Sequence, residues 1–153
     1  MCCAKRVTLY RGIGLPPKAI SLYQNMLDGK TDNHFSFTAF TSTSLKKEVA
    51  LKFAYKAWLR DELNPHKTKE EKQVPILFVI KARQDTGRGS GKSFLHDDTL
   101  SAFKEEQEVL YCAEYLAVED IKTETHQGLE VDDHERAGKK EIPSFKLTTI
   151  VLK

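Results

Sequence analysis

The chain has 153 residues, 40% of them hydrophobic and 30% charged, and a formal net charge of +2. That balance suits one folded domain, residues 1–153, around one core and excludes a wholly disordered chain. So small an excess gives no electrostatic reason for a nucleic-acid partner, and no apolar run reaches the ~18 residues of a membrane-spanning helix.

Cys2, Cys3 and Cys112 are odd in number and two are adjacent, so they suggest no internal disulfide framework. A reducing, intracellular (cytoplasmic) compartment is expected. There is no CxxC pair and no HExxH, so no metal is expected.

In chain order, "RVTLYRGI" (6–13) alternates Val7, Leu9 and Arg11 on one side and reads as a strand. "LPPKAISLYQNMLDGK" opens on Pro16 and Pro17 and closes near Gly29, with Ile20, Tyr23, Met26 and Leu27 at helical spacing. "HFSFTAF" (34–40) alternates Phe35 and Phe37 with polar residues, a second strand. From Lys46 to about Leu63, the residues Val49, Phe53, Ala57 and Leu63 mark a helix with one apolar face. "NPHKTKEEKQ" (64–73) is a charged loop, and "VPILFVIKAR" (74–83) is the strongest strand. Residues 108–125 read as two strand pieces, 126–141 as a polar connection, and "PSFKLTTIVLK" (143–153) as a last strand. Helices come early and strands dominate later, which gives an α+β class.

Between the strands lies "TGRGSGKS", a near miss of a phosphate-binding loop. Counting back from Gly91, the position that needs glycine holds Thr86, and the residues after it show weak helical periodicity. A loop between strands is expected there instead.

Three features invite chemistry. Arg11, between Tyr10 and Gly12, lies near the end of an apolar strand; it reads either as an arginine paired at a strand end or as a planar, permanently charged fork for a diphosphate. "FTSTS" offers Thr41, Ser42, Thr43 and Ser44, of which Ser44 suits an N-cap worth about 1 kcal/mol, leaving Ser42 for a cleft. "KEEQEVLY" (104–111) brings Glu106 and Glu108 to one side of an extended segment. Such a charge run is most often a solvated face, but paired carboxylates also suit a reaction that develops positive charge.

"LYRG", "FTSTS" and "EEQEVL" in this order resemble the R-S-E pattern of the ADP-ribosyltransferases, and more narrowly of the arginine-specific mono-ADP-ribosyltransferases. The resemblance runs from residue 9 to residue 110. It includes the strand-to-helix passage "FTSTSLKKEVALKFA" and the loop "SAFKEEQEVLY" with its aromatic Phe103 and E-x-E. The poly-ADP-ribosylating branch usually carries histidine where Arg11 stands. Many family members also have helices ahead of the first strand, so a minimal core, or a domain excised from a longer chain, is expected.

The resemblance implies a split β-sandwich: two small packed sheets with flanking helices and NAD, as co-substrate, in the cleft. Arg11 would hold the NAD phosphates and nicotinamide ribose, with Tyr10 and Gly12 beside it. Ser42 would bond the ribose and orient the catalytic glutamate, supported by Thr43 and Ser44. Glu108 would bond the ribose 2′-hydroxyl and stabilise the oxocarbenium ion. Glu106 would orient the acceptor guanidinium, and Phe103 would help recognise the acceptor, a protein with a surface arginine or the chain itself. Transfer of ADP-ribose to arginine is the expected activity. An NAD glycohydrolase and a catalytically silent binding module are the alternatives.

Overall fold

The computed structural model describes residues 5–34, 36, 41–84, 92–95, 108–113, 116–130 and 143–153. β1 (Lys5–Leu15) leads into α1 (Pro17–Leu27), β2 (Thr41–Ser44) and α2 (Lys47–Glu62). Five strands follow: β3 (Val74–Gln84), β4 (Lys92–Leu95), β5 (Glu108–Ala113), β6 (Val118–His126) and β7 (Phe145–Leu152). Among the described residues the seven strands form one sheet in the order β4-β5-β2-β1-β3-β7-β6. β3 and β7 run parallel, and all other neighbours are antiparallel.

The sheet is wide on one side and pinched near its middle. β1 and β3 pair along their whole lengths, from Lys5↔Gln84 to Leu15↔Val74. Among the described residues, β1 and β2 meet only at Tyr10↔Ser44. The α+β class holds, but in place of two packed sheets the described strands form one sheet, whose parts β4-β5-β2 and β1-β3-β7-β6 join, among the described residues, at the one pair Tyr10↔Ser44.

Strand alternation explains why the larger half is covered on both faces. Leu9, Ile76, Phe78, Ile80, Ala82, Ile150 and Leu152 face one way, where Ile20, Tyr23, Met26 and Leu27 of α1 pack on them. Leu77, Phe145 and Leu147 face the other way, against Ala50, Leu51, Ala54, Tyr55 and Leu59 of α2. A strand buried on both faces needs the near-continuous apolar run of "VPILFVI". Each large buried side chain contributes about 1.5–3 kcal/mol.

Local chemistry sets the helix ends. α1 starts on Pro17, whose missing N–H costs nothing at that position. It stops at Gly29, whose φ of 75° lets the Lys30 N–H reach the Asn25 carbonyl at 2.9 Å. At the far end of α2 the buried Asp61 binds the Lys67 Nζ and the Gln73 N–H, each at 2.8 Å. Those two bonds fasten the charged 64–73 loop to the helix. Tyr55 donates to the Pro143 carbonyl at 3.0 Å, tying the start of β7 to α2.

Three expectations change. His34 and Ser36 lie in no strand, residues 35 and 37–40 lie outside the described residues, and the hydroxyl run Thr41–Ser44 is itself a strand. Ser44 is not the N-cap of α2. That position is Lys46, and Ser44 Oγ accepts the Lys46 N–H at 3.0 Å in a turn ahead of the helix. The buried arc of α2 is Ala50, Leu51, Ala54, Tyr55 and Leu59, while Phe53 is 48% exposed. Residues 92–95 after the glycine loop are strand, which removes the helix a phosphate loop requires. Residues 85–91 of that loop and 131–142 of the polar connection lie outside the described residues.

Candidate active site

The pinch at Tyr10↔Ser44 opens a cavity of about 210 Å³. The described residues that line it are Tyr10, Arg11 and Gly12 from β1, Ser42, Thr43 and Ser44 from β2, and Val49, Ala50 and Phe53 from α2. Two segments some thirty residues apart in sequence, "YRG" and "STS", therefore wall one space, and the next helix supplies a third side.

Arg11 spans the gap. Where β1 and β2 part, a ladder would have continued; instead Arg11 Nη1 donates to the Ser42 carbonyl at 2.8 Å. The guanidinium is half-buried, and desolvation pulls its pKa below the ordinary arginine value. It remains a cation at any working pH. A half-buried cation in a concave site is a strong attractor for an anionic group, because less water screens it.

The hydroxyls divide by burial. Ser42 is exposed, whereas Thr43 and Ser44 are 4% and 5% exposed. Ser44 is committed to the turn into α2 through its bond from Lys46. Ser42 lines the cavity on its exposed side.

Glu108 opens β5, and its backbone pairs with Ser44, which in turn pairs with Tyr10. Tyr10, Ser44 and Glu108 therefore form one transverse row across three adjacent strands. This brings the backbone of all three motifs to one level of the sheet. Glu106 and Phe103 lie outside the described residues.

Gly12 has a different role from the one its neighbours suggest. A Cβ built there would lie 1.6 Å from the Ala50 carbonyl oxygen and 2.8 Å from the Ala54 nitrogen. The main chain of α2 rests directly on it, so Gly12 sets how near the helix comes and how narrow the cavity is.

Sequence reasoning missed Val49 and Phe53 as cavity walls, having read them as the core stripe of α2. Their four-residue spacing was a correct helix signal, but spacing does not choose between two arcs of one helix. Among the described residues no cluster of His, Cys, Asp and Glu suits a metal ion, and no helix is long and apolar enough to cross a membrane.

No protein-family model matches the sequence, and no curated protein matches it. Solved structures do match. The fold is that of an ADP-ribosyltransferase: the chain superposes on HopU1 of Pseudomonas syringae pv. tomato with a TM-score of 0.51 and 18% identity, over 99% of this chain and 47% of that one. Structures of Vis, an ADP-ribosyltransferase toxin from Vibrio splendidus, match less closely. With an inhibitor bound to Vis the TM-score is 0.47 at 18% identity, over 98% of this chain and 50% of that one. With agmatine bound it is 0.44 at 17% identity, over the same shares. The chain spans about half the length of these structures.

Proposed function

We propose that the chain is the catalytic core of an NAD-dependent ADP-ribosyltransferase whose acceptor is a protein arginine. The observation that carries this reading is the cavity at the sheet pinch, which Arg11 and Ser42 line together in an ADP-ribosyltransferase fold. Its size supports a division of labour. About 210 Å³ is less than the roughly 300–1,000 Å³ of pockets that enclose a drug-sized ligand, so the cavity suits the nicotinamide-ribose end of the dinucleotide rather than the whole.

Each residue then has a task. Arg11 draws the diphosphate with a rigid, bidentate fork. Ser42 offers an exposed hydroxyl to the ribose. Val49 and the ring of Phe53 give an apolar wall against which a flat heterocycle is shielded from water.

Glu108 answers the central demand of the reaction. The C1′–N bond to nicotinamide breaks, its electron pair leaves with the neutral ring, and positive charge develops on the ribose. A fixed carboxylate stabilises that charge more in the transition state than in the ground state. A guanidinium nitrogen of the acceptor then forms the new bond to C1′ and gives up a proton. Glu106, two residues upstream, is assigned to orient that guanidinium and receive proton density.

The test is nicotinamide release from NAD with and without agmatine, with products identified by mass spectrometry. ADP-ribosyl-agmatine is expected. Glu108→Gln should lower NAD cleavage by about a hundred- to a thousandfold, the usual cost of one preorganised electrostatic contact. Glu106→Gln should abolish transfer and spare slow hydrolysis. Free ADP-ribose alone from the parent protein would reassign it as a hydrolase, and no nicotinamide release would refute the reading.

A further inference from the structure

The solvent side of α2 carries Lys52, Lys56 and Arg60 together with Val49 and Phe53, opposite the buried arc of Ala50, Leu51, Ala54 and Leu59. Every charged side chain from Val49 to Arg60 is a cation: Lys52, Lys56 and Arg60. Val49 and Phe53 belong both to this face and to the cavity wall. The cationic stripe therefore begins at the cavity and runs away from it, about 10 Å from Phe53 to Arg60.

Intrahelical chemistry accounts for its two ends. Arg60 in the last turn suits the helix dipole, and Glu48 stands one turn before Lys52. Neither accounts for an exposed phenyl ring set among cations beside a cavity.

We infer that this face docks the acceptor protein, and that the acceptor arginine carries carboxylates next to it. The inference rests on the transferase reading. An acceptor guanidinium is itself a cation, and one that approaches along α2 passes Arg60, Lys56 and Lys52 before the cavity. A bare or lysine-flanked arginine is repelled along that path. An arginine flanked by Asp or Glu is not, because its carboxylates pair with the stripe while the guanidinium enters. Spacing agrees: cations four residues apart on a helix stand about 6 Å apart, close to the roughly 6.7 Å between alternate residues of a strand. Phe53 supplies the apolar centre of such a contact, with charges around it. The like-charge repulsion acts as the selective element, rejecting arginines in basic surroundings.

The experiment compares agmatine, an arginine peptide flanked by Asp and Glu, and the same peptide flanked by Lys. Each is assayed with the parent chain and with the Lys52→Glu/Arg60→Glu double variant, at low and high salt. Thermal melts check that the variant is folded. With the parent, KM for the acidic peptide should be on the order of tenfold below that for the basic one, the yield of a few exposed ion pairs. High salt should erase the difference. The double variant should reverse the preference, lower the KM for agmatine, which is itself cationic, and leave the KM for NAD unchanged.

Fluorescence anisotropy of the labelled acidic peptide reads docking without turnover. Binding that the charge reversal abolishes supports the surface even if no nicotinamide is released, an outcome that would sink the transferase reading alone. Equal KM values for the two peptides, or absence of peptide binding, would overturn the inference. So would a raised KM for NAD in the double variant, which gives the stripe to the dinucleotide. RNA binding to the stripe without peptide preference would overturn it as well.

Discussion

Gly12→Ala is the sharpest test of how the cavity is built. The added methyl would sit 1.6 Å from the Ala50 oxygen, 2.6 Å from the Ala50 carbonyl carbon and 2.8 Å from the Ala54 nitrogen. All three are main-chain atoms of α2, so no rotamer change relieves the clash. To regain contact distance the helix must retreat by roughly 1.5–2 Å. Overpacking a core typically costs 1–3 kcal/mol, and a clash of backbone on both sides belongs at the upper end, about 3 kcal/mol. For a domain of this size that lowers Tm by roughly 10 °C. The retreat also carries Val49 and Phe53 away from Arg11, so affinity for NAD should fall by at least about tenfold, since such geometry is tight in preorganised sites. Gly14→Ala is the control on the same helix–strand contact. Its methyl would meet Gln73 Oε1 at 2.5 Å and the Ala57 Cβ at 3.0 Å, and the Gln73 amide can swing aside. That variant should stay within about 1 kcal/mol of the parent, helped by the lower entropy of its unfolded chain. Calorimetric melts and NAD titration on the pair decide the matter. A Gly12→Ala protein with parental Tm and NAD affinity would refute the close approach. Equal damage from both variants would refute the distinction between main-chain and side-chain neighbours.

Other variants address the remaining links. Arg11→Lys keeps the charge but loses the fork, so KM for NAD should rise at least about tenfold while the fold survives with a loss of about 1 kcal/mol from the bond to Ser42. Asp61→Ala removes the anchor of the 64–73 loop and should cost about 1.5–3 kcal/mol, the range for hydrogen bonds to a charged group, measured by denaturant unfolding. The same carboxylate predicts a pH effect. Burial alone would raise its pKa, but the bonds from Lys67 and Gln73 and the charges of Lys67 and Arg60 win, and the folded value lies below the ordinary 3.8. Its contribution is therefore complete above that ordinary value and is lost as pH falls through the lowered one. Asp61→Asn should flatten this acid limb of the stability profile, and an unchanged limb would exclude Asp61 as its source. Tyr55→Phe deletes the bond to Pro143 and should lower Tm by about 3 °C, for about 1 kcal/mol lost.

The sequence disclosed most where one physical signal acts alone. "VPILFVI" admits burial on both faces, and it is an inner strand. Pro17 and Gly29 bound α1 because each constrains the backbone whatever surrounds it. It disclosed less where two signals compete. Phe35 and Phe37 placed a strand at 34–40, a stretch largely outside the described residues, and the hydroxyl run Thr41–Ser44 is strand as well. Those hydroxyls pair with β5, and no local pattern announces that partner. The face of α2 was misread for a related reason. Val49–Phe53 and Ala50–Ala54 repeat with equal regularity, and the bulkier pair suggested the core. What decides is the partner strand, where Gly12 and Gly14 leave room only for small residues and a close main chain. Of the candidate site residues, Tyr10, Arg11, Gly12, Ser42, Thr43 and Ser44 line one cavity, while Glu106 and Phe103 lie outside the described residues.

Among the described residues the ladder between β1 and β2 holds the one pair Tyr10↔Ser44, and the cavity lies beside it. Each ladder hydrogen bond forgone leaves backbone groups that need another partner. Arg11 meets part of that need through the Ser42 carbonyl, so the break in the sheet and the cation in the site have one origin. The bond uses only Nη1, and a guanidinium has further N–H donors in the same plane. Arg11 can thus hold β2 against β1 while its remaining donors engage an anion. On the proposed reading, substrate binding adds to the brace across the pinch instead of competing with it. NAD should therefore raise Tm more in the parent than mass action through phosphate contacts alone would give in a variant where lysine replaces the fork.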